Sequence, residues 1–260
     1  MAAVRQDDAT GVRRQSFGEV ASHYDRFRPG PPDEALDWLL PAAAHEVLEI
    51  GAGTGALTRR LLERGLHVRA VEPDDRMRAV LVERAAAAEV VAGAAEEIPA
   101  PDSSVDMVIA ASAWHWVDEE RAVPEVVRVL RPGGRFALLW SGPNRRTGWL
   151  RAAWAGGADP SEERIAALEA RRGQRFVVDL GDGRAFSEPE RHLLQWTVAM
   201  SREELLGLFG TYSAVITMEP VARREYFDSV NRFLDRDGAS AGRESFDVPM
   251  GCVCWRATRL

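Results

Sequence analysis

From His45 onward, short apolar runs alternate with longer amphipathic stretches. Glu46 to Ile50, Val68 to Glu72, Val90 to Ala92, Val105 to Ala110 and Phe136 to Trp140 read as strands. Between them, Ala56 to Glu63, Arg76 to Ala87 and Glu119 to Leu130 carry helical periodicity. This is the rhythm of βαβ units and predicts a parallel sheet. The strand runs are almost continuously apolar, as expected when helices cover both faces, so all five are expected to be central strands with none at an edge.

Upstream, Phe17 to Leu40 reads as helical segments broken at Arg28-Pro29-Gly30-Pro31-Pro32, because proline and glycine together stop a helix. That stretch is expected to form a lid before the core. Arg131-Pro132-Gly133-Gly134 is read as a turn ahead of the fifth strand. From Ser141 to Pro189 the pattern is punctuated by Gly142, Pro143, Gly148, Gly156, Gly157 and Pro160, with a polar helical stretch over Glu162 to Arg172, and is read as an inserted cap. The pattern resumes with a strand over His192 to Met200 and a helix opened by Ser201 with Glu204 three residues later, a capping box. A helix over Val221 to Asp235 and a strand over Phe246 to Ala257 follow. The expectation is an α/β fold with a Rossmann-like, seven-stranded, mostly parallel sheet and helices on both faces. It forms one domain over 1–260: an N-terminal lid (1–40), a core (41–140), a cap insertion (141–190) and a C-terminal completion of the sheet (191–260).

With 260 residues and 46% hydrophobic composition, the chain has ample material for a buried core. A formal net charge of -7 offers no general attraction to phosphate backbones, which argues against nucleic acid as a partner. All the basic side chains are arginine, since lysine is absent, and no mechanism is read from that. Cys252 and Cys254 are two residues apart in a predicted strand, so their side chains share a face at a spacing poor for a disulfide; buried, reduced thiols are expected. No apolar run approaches the roughly 18 residues of a membrane span, so no membrane partner and a cytoplasmic location are expected.

The candidate chemistry begins at Val47-Leu48-Glu49-Ile50-Gly51-Ala52-Gly53-Thr54-Gly55, a strand running into a glycine turn and then a helix. By itself the turn is either a structural bend or, with Ala56 standing for a third small residue, a dinucleotide loop. Glu72 ends the next strand about 20 residues later, the spacing of an acid that accepts hydrogen bonds from both hydroxyls of a ribose. A nucleoside-containing cofactor is the reading these two features share.

Taken in order, Val47 to Gly55, Val71-Glu72-Pro73, Gly93-Ala94-Ala95-Glu96-Glu97-Ile98-Pro99, Asp102 to Val108 and Leu130 to Gly134 resemble the successive motifs of class I S-adenosylmethionine-dependent methyltransferases. Phe17, Ala21, Tyr24, Arg28 and Pro29 are similar to the N-terminal lid of the trans-aconitate-methyltransferase-like branch. The resemblance covers roughly residues 16 to 140. It implies S-adenosyl-L-methionine as cofactor, with the Gly51, Ala52, Gly53 loop and Glu49 beside the methionine portion and Glu72 and Pro73 at the ribose. Ala94, Ala95 and Glu96 would flank the adenine, Met77, Ala111 and Ser112 are further expected cofactor contacts, and Tyr24 and Arg28 would belong to the lid. Two positions depart from the pattern: Ala94 stands where aspartate commonly accepts from the adenine amino group, and Pro31 where the lid commonly has tyrosine. Acidic groups such as Glu49 suit a cationic sulfonium better than a pyrophosphate, which favours the methyl donor over NAD.

Parallel sheets bind ligands beyond the carboxyl ends of their strands, which points to Ala111-Ser112-Ala113-Trp114-His115-Trp116 as the acceptor side. His115 is either a general base for a hydroxyl acceptor or a packed, hydrogen-bonded wall residue. Methyl transfer needs alignment above all, and a carboxylate acceptor needs no base, in which case Arg28, Arg145 and Arg146 are candidates to orient it. His23 and Tyr24 either close over the cofactor or pack a helix face. Trp140, Trp149, Trp154 and Trp196 either line an apolar acceptor pocket or fill core. No metal ligand set is read. The expected function is methyl transfer to an oxygen of a small metabolite; the alternatives are an NAD-dependent oxidoreductase and a methyltransferase-like partner protein without catalysis.

Overall fold

The computed structural model describes residues 26–144, 146–157, 178–181, 184–236 and 243–260. His23, Tyr24, Arg145 and the stretch Glu162 to Arg172 lie outside them, as do Phe17 and Ala21. In chain order the elements are α1 (Asp33–Leu39), β1 (Glu46–Ile50), α2 (Ala56–Glu63), β2 (His67–Val71), α3 (Asp75–Arg84), β3 (Glu89–Val91) and β4 (Val105–Ala111). They continue as a 3-10 turn over Trp114–Trp116, α4 (Glu119–Val129), β5 (Leu130–Pro143), α5 (Gly148–Trp154) and β6 (Glu190–Ser201). Last come α6 (Arg202–Gly210), α7 (Ser213–Ile216), α8 (Pro220–Arg236) and β7 (Ser245–Thr258).

The seven strands form one sheet in the order β3-β2-β1-β4-β5-β7-β6. Pairings β3 with β2, β2 with β1, β1 with β4 and β4 with β5 are all parallel. β7 runs against β5: Gly133 N donates to Arg259 O, Arg259 N to Gly134 O and Asn144 N to Pro249 O, so one number falls as the other rises. The sheet is therefore mixed, with a parallel core and an antiparallel extension.

Two expectations are corrected. β3 is an edge strand and not central; it is three residues long, with Glu89 exposed and Val90 and Val91 only half-buried, so its apolar run reflects one covered side. The segment Arg131 to Gly134 is part of β5 and not a separate turn, because its amides and carbonyls are engaged by the end of β7; Gly133 bends there at φ 79°.

Two compact units are present. The first comprises residues 1–141, 178–194 and 252–260, and its core is the sheet centre: Leu48, Ala70, Val108, Ile109, Ala137 and Leu138 are completely buried. Cys252 and Cys254 are buried there as free thiols. The described residues of the second are 142–144, 146–157, 195–236 and 243–251. Its core gathers Leu150, Ala153, Leu205, Leu208, Phe209, Val230 and Leu234 from α5, α6 and α8 with Val248 and Met250 of β7. The capping box is formed: Ser201 Oγ accepts from Glu204 N, and Glu204 Oε2 from Ser201 N. α5 forms inside the glycine-punctuated stretch read as an inserted cap, because Leu150 and Ala153 supply the buried face a short helix needs.

Winding reverses between β1 and β4, which are neighbours although two strands intervene in sequence. Their carboxyl ends therefore diverge into a crevice, and the first unit places its polar loops there.

Candidate functional site

β1 ends at Ile50 and the chain turns at once through Gly51, Gly53 and Gly55, all with positive φ. At Gly51 the reason is contact as well as torsion: an added Cβ would sit 2.6 Å from the Cβ of Ala113, beyond the end of β4. Only a glycine lets the loop pass this close to its neighbour strand. Gly51 N and Ala52 N both donate to Val71 O, at 2.8 and 3.2 Å, fixing the loop against the end of β2.

Glu72 completes the anchor. Its Oε2 accepts from Gly53 N at 2.8 Å and its Oε1 from Asp74 N at 2.9 Å. Asp74 in turn caps α3, accepting from Arg76 N and Met77 N. One carboxylate thus joins the glycine loop to the start of α3 and remains nine-tenths buried. A carboxylate oxygen can accept more than one hydrogen bond, so these two backbone bonds are compatible with a hydroxyl-bearing ligand.

Glu49 is 1% exposed, accepts from Thr58 Oγ1 at 2.6 Å, and has its pKa pushed up to about 8. Burial is the main cause; the Thr58 hydrogen bond and the Arg59 charge oppose it, and the nearby Glu72 carboxylate adds to it.

On the far side, Ser112 takes a positive φ of 54° and donates its N–H to Leu139 O at 2.8 Å. Below it, the Gly93 to Pro99 segment is held by α4. Glu125 accepts from Ile98 N at 2.8 Å, while Arg128 donates to Ile98 O, Ala100 O and Asp102. Gly93 and Pro99 belong together, since a Cβ at Gly93 would fall 2.8 Å from the proline ring.

These walls enclose a cavity of about 850 Å³. Of the residues expected from sequence, Arg28, Glu49, Gly51, Ala52, Gly53, Glu72, Pro73, Met77, Ala94, Ala95, Ala111 and Ser112 all line it. Glu96 does not; its Oε1 accepts from Asp118 N at 2.9 Å. Nor does His115, whose ring lies tilted at 41° against Trp116 with centroids 4.7 Å apart; the lining at that point is Ala113, Trp116 and Val117. Trp114 between them is buried, its Nε1 donating to Glu119 at 2.6 Å. Arg146 is elsewhere, in the second unit. None of the four tryptophans lines the cavity: Trp149, Trp154 and Trp196 pack on the second unit's core, and Trp140 is buried in β5.

Sequence reasoning missed Gly30, Thr54, Asp74, Asp75, Arg76 and Ser141, which also line the cavity. Asp74 was legible as a helix cap, since it precedes Asp75 and Arg76 at the start of a helical pattern. Thr54 and Ser141 carry no pattern that separates them from ordinary loop residues.

The lining tests the cofactor. Four acidic side chains (Glu49, Glu72, Asp74, Asp75) line the cavity with two arginines (Arg28, Arg76), and the Gly53 amide is already committed to Glu72. A loop built for pyrophosphate offers its amides to the phosphate oxygens; here an acid takes one of them. The set suits a ligand carrying positive charge and a ribose.

An uncharacterised methyltransferase of Mycobacterium tuberculosis is 44% identical over 248 residues, covering 94% of this chain and 95% of that one. The chain belongs to the class I S-adenosylmethionine-dependent methyltransferases. Residues 48–138 of this methyltransferase match the methyltransferase domain family. A malonyl-[acyl-carrier protein] O-methyltransferase of Pectobacterium atrosepticum is 37% identical over 134 residues, 49% of this chain and 53% of that one. Among solved structures, a type II methyltransferase from Anaeromyxobacter dehalogenans superposes with a TM-score of 0.64 at 24% identity, covering 90% of this chain and 98% of its own, a likeness of fold. No described helix is long and apolar enough to cross a membrane.

Proposed function

We propose that this methyltransferase binds S-adenosylmethionine in the cavity beyond β1 and β4 and methylates an oxygen, carboxylate or hydroxyl, of a small molecule. The observation that carries the cofactor half is the Glu72 junction: an acid at the end of β2, lining the cavity and fixed in place by Gly53 N and Asp74 N, where a carboxylate suits ribose hydroxyls. Glu49 and the Gly51 to Gly53 turn would hold the amino-acid end, and Pro73, Met77, Ala94 and Ala95 the base. Bound there, the cofactor supplies a methyl group already activated by positive sulfur.

The protein's task is then to align the acceptor and exclude water. Arg28 on the cavity wall suits a bidentate grip on an acceptor carboxylate, and Trp116 with Val117 offers apolar surface to the rest. A carboxylate acceptor needs no base, in keeping with His115 lying against Trp116 and outside the cavity lining. The O-methyltransferase named above is consistent with an oxygen acceptor.

Thermal unfolding tests the cofactor half. S-adenosylhomocysteine at saturation is expected to raise the melting temperature, because a ligand of the native state stabilises it by mass action, while NAD leaves it unchanged. The reverse result would overturn the reading. Incubation with metabolite extracts, read for a mass gain of one methyl, tests the acceptor half; a product methylated on nitrogen or carbon would overturn it.

A further inference from the structure

The two buried acids of the cavity are unequally provided for. Glu72 receives two backbone amides, one on each oxygen. Glu49, more deeply buried, has the hydroxyl of Thr58. The same lining holds a second incomplete group: Thr54 is 1% exposed, and its hydroxyl finds no hydrogen-bond partner among the described residues. A buried carboxylate this thinly supported, beside another, stays uncharged until a cation reaches it.

Resting on the cofactor reading above, we propose that Glu49 selects ligands by charge: it keeps a proton while the cavity is empty and releases it to solvent when a ligand's ammonium group arrives. The exchange balances. The carboxylic O–H breaks, its proton leaves to buffer, and the carboxylate left behind accepts from the ammonium N–H groups.

The charged and polar groups around Glu49 are Thr58 and Arg59 on α2 and Glu72 at the end of β2, and Thr54 in the loop lines the same cavity. Arg59 favours the ionised form but turns one guanidinium nitrogen to Thr54 O, at 3.4 Å; Glu72 opposes it. The raised pKa of Glu49 accords with this arrangement and sets the window: affinity for an ammonium-bearing ligand is expected to rise about tenfold per pH unit below about 8 and to level off above.

Calorimetric titration at pH 7 in two buffers of different ionisation enthalpy counts the protons. The probes are S-adenosylhomocysteine and its analogue lacking the α-amino group. Wild-type protein is expected to release close to one proton with the first and none with the second. Glu49→Gln should bind the first at least tenfold more weakly and release none. Should that variant fold poorly, infrared difference spectra of the wild type serve instead: the carbonyl band of a protonated carboxyl should vanish when S-adenosylhomocysteine is added. Binding without proton release, or equal release with both probes, overturns the proposal and leaves the cofactor reading standing. No binding of S-adenosylhomocysteine by the wild type overturns both.

Discussion

Gly51 and Ala113 touch across the crevice: the space a side chain at Gly51 would need is occupied by the methyl group of Ala113, 2.6 Å from the ideal Cβ position. The glycine loop is shaped by β4 as much as by its own torsions.

Gly51→Ala therefore meets both a clash and a strained φ of 63°, whereas Gly53→Ala, at φ 59° with nothing within 4 Å, meets strain alone. Urea unfolding is expected to show a loss of about 2–4 kcal/mol for the first and about 1 kcal/mol for the second. A double variant with Ala113→Gly should recover part of the Gly51→Ala loss. Equal losses for the two single variants would show that the contact contributes nothing.

Glu72→Ala removes the shared acceptor of Gly53 N and Asp74 N. S-adenosylhomocysteine affinity is expected to fall severalfold or more, measured by calorimetry, and stability by about 1–3 kcal/mol as two amides lose their partner. Glu72→Gln should recover part of the stability, since its side-chain oxygen still accepts one bond, and little of the affinity.

Glu49 opposes folding at high pH. Its carboxyl is raised in the folded chain from 4.5 to about 8, so the native state holds a proton that the unfolded state has lost. Stability from this group is full below pH 4.5 and declines until the pH passes about 8. Glu49→Gln is expected to flatten that decline, so its advantage over wild type in denaturant midpoint should be larger at pH 8.5 than at pH 5. A constant difference would rule out the burial effect.

Asp106 has the opposite sign. Burial works against its ionisation, but the amides of Glu46 and His45, each at 2.9 Å, and the Arg131 guanidinium outweigh burial and hold the pKa below 3.8. Its contribution is present above the unfolded value and is lost as pH falls through the folded one. Asp106→Asn should lower the melting temperature at pH 7 and narrow the gap to wild type near pH 3, followed by circular dichroism.

Much of the site was legible because parallel βα units tie function to sequence position. A strand must end before its loop begins, so Gly51 to Gly53 and Glu72 fall at the crevice wherever the sheet forms. Twelve expected positions line the cavity for that reason. His115 and Glu96 were less legible, because a 3-10 turn and a hydrogen bond to Asp118 N decide which side chain faces inward, and neither leaves a periodic trace.

What the amino-acid order determined by itself was the alternation of strands and helices, the glycine turn and the acid Glu72 at the end of the second strand, all of them set by local torsion, capping and apolar periodicity. Tertiary structure alone decided that β3 lies at an edge, that Leu130 to Pro143 is one strand, and that the tryptophans of the later chain pack into a core. It also raised the pKa of Glu49, by burying the carboxyl. Edge position, strand pairing and carboxyl ionisation depend on neighbours distant in sequence, whose arrival changes solvation and hydrogen bonding without altering the local pattern.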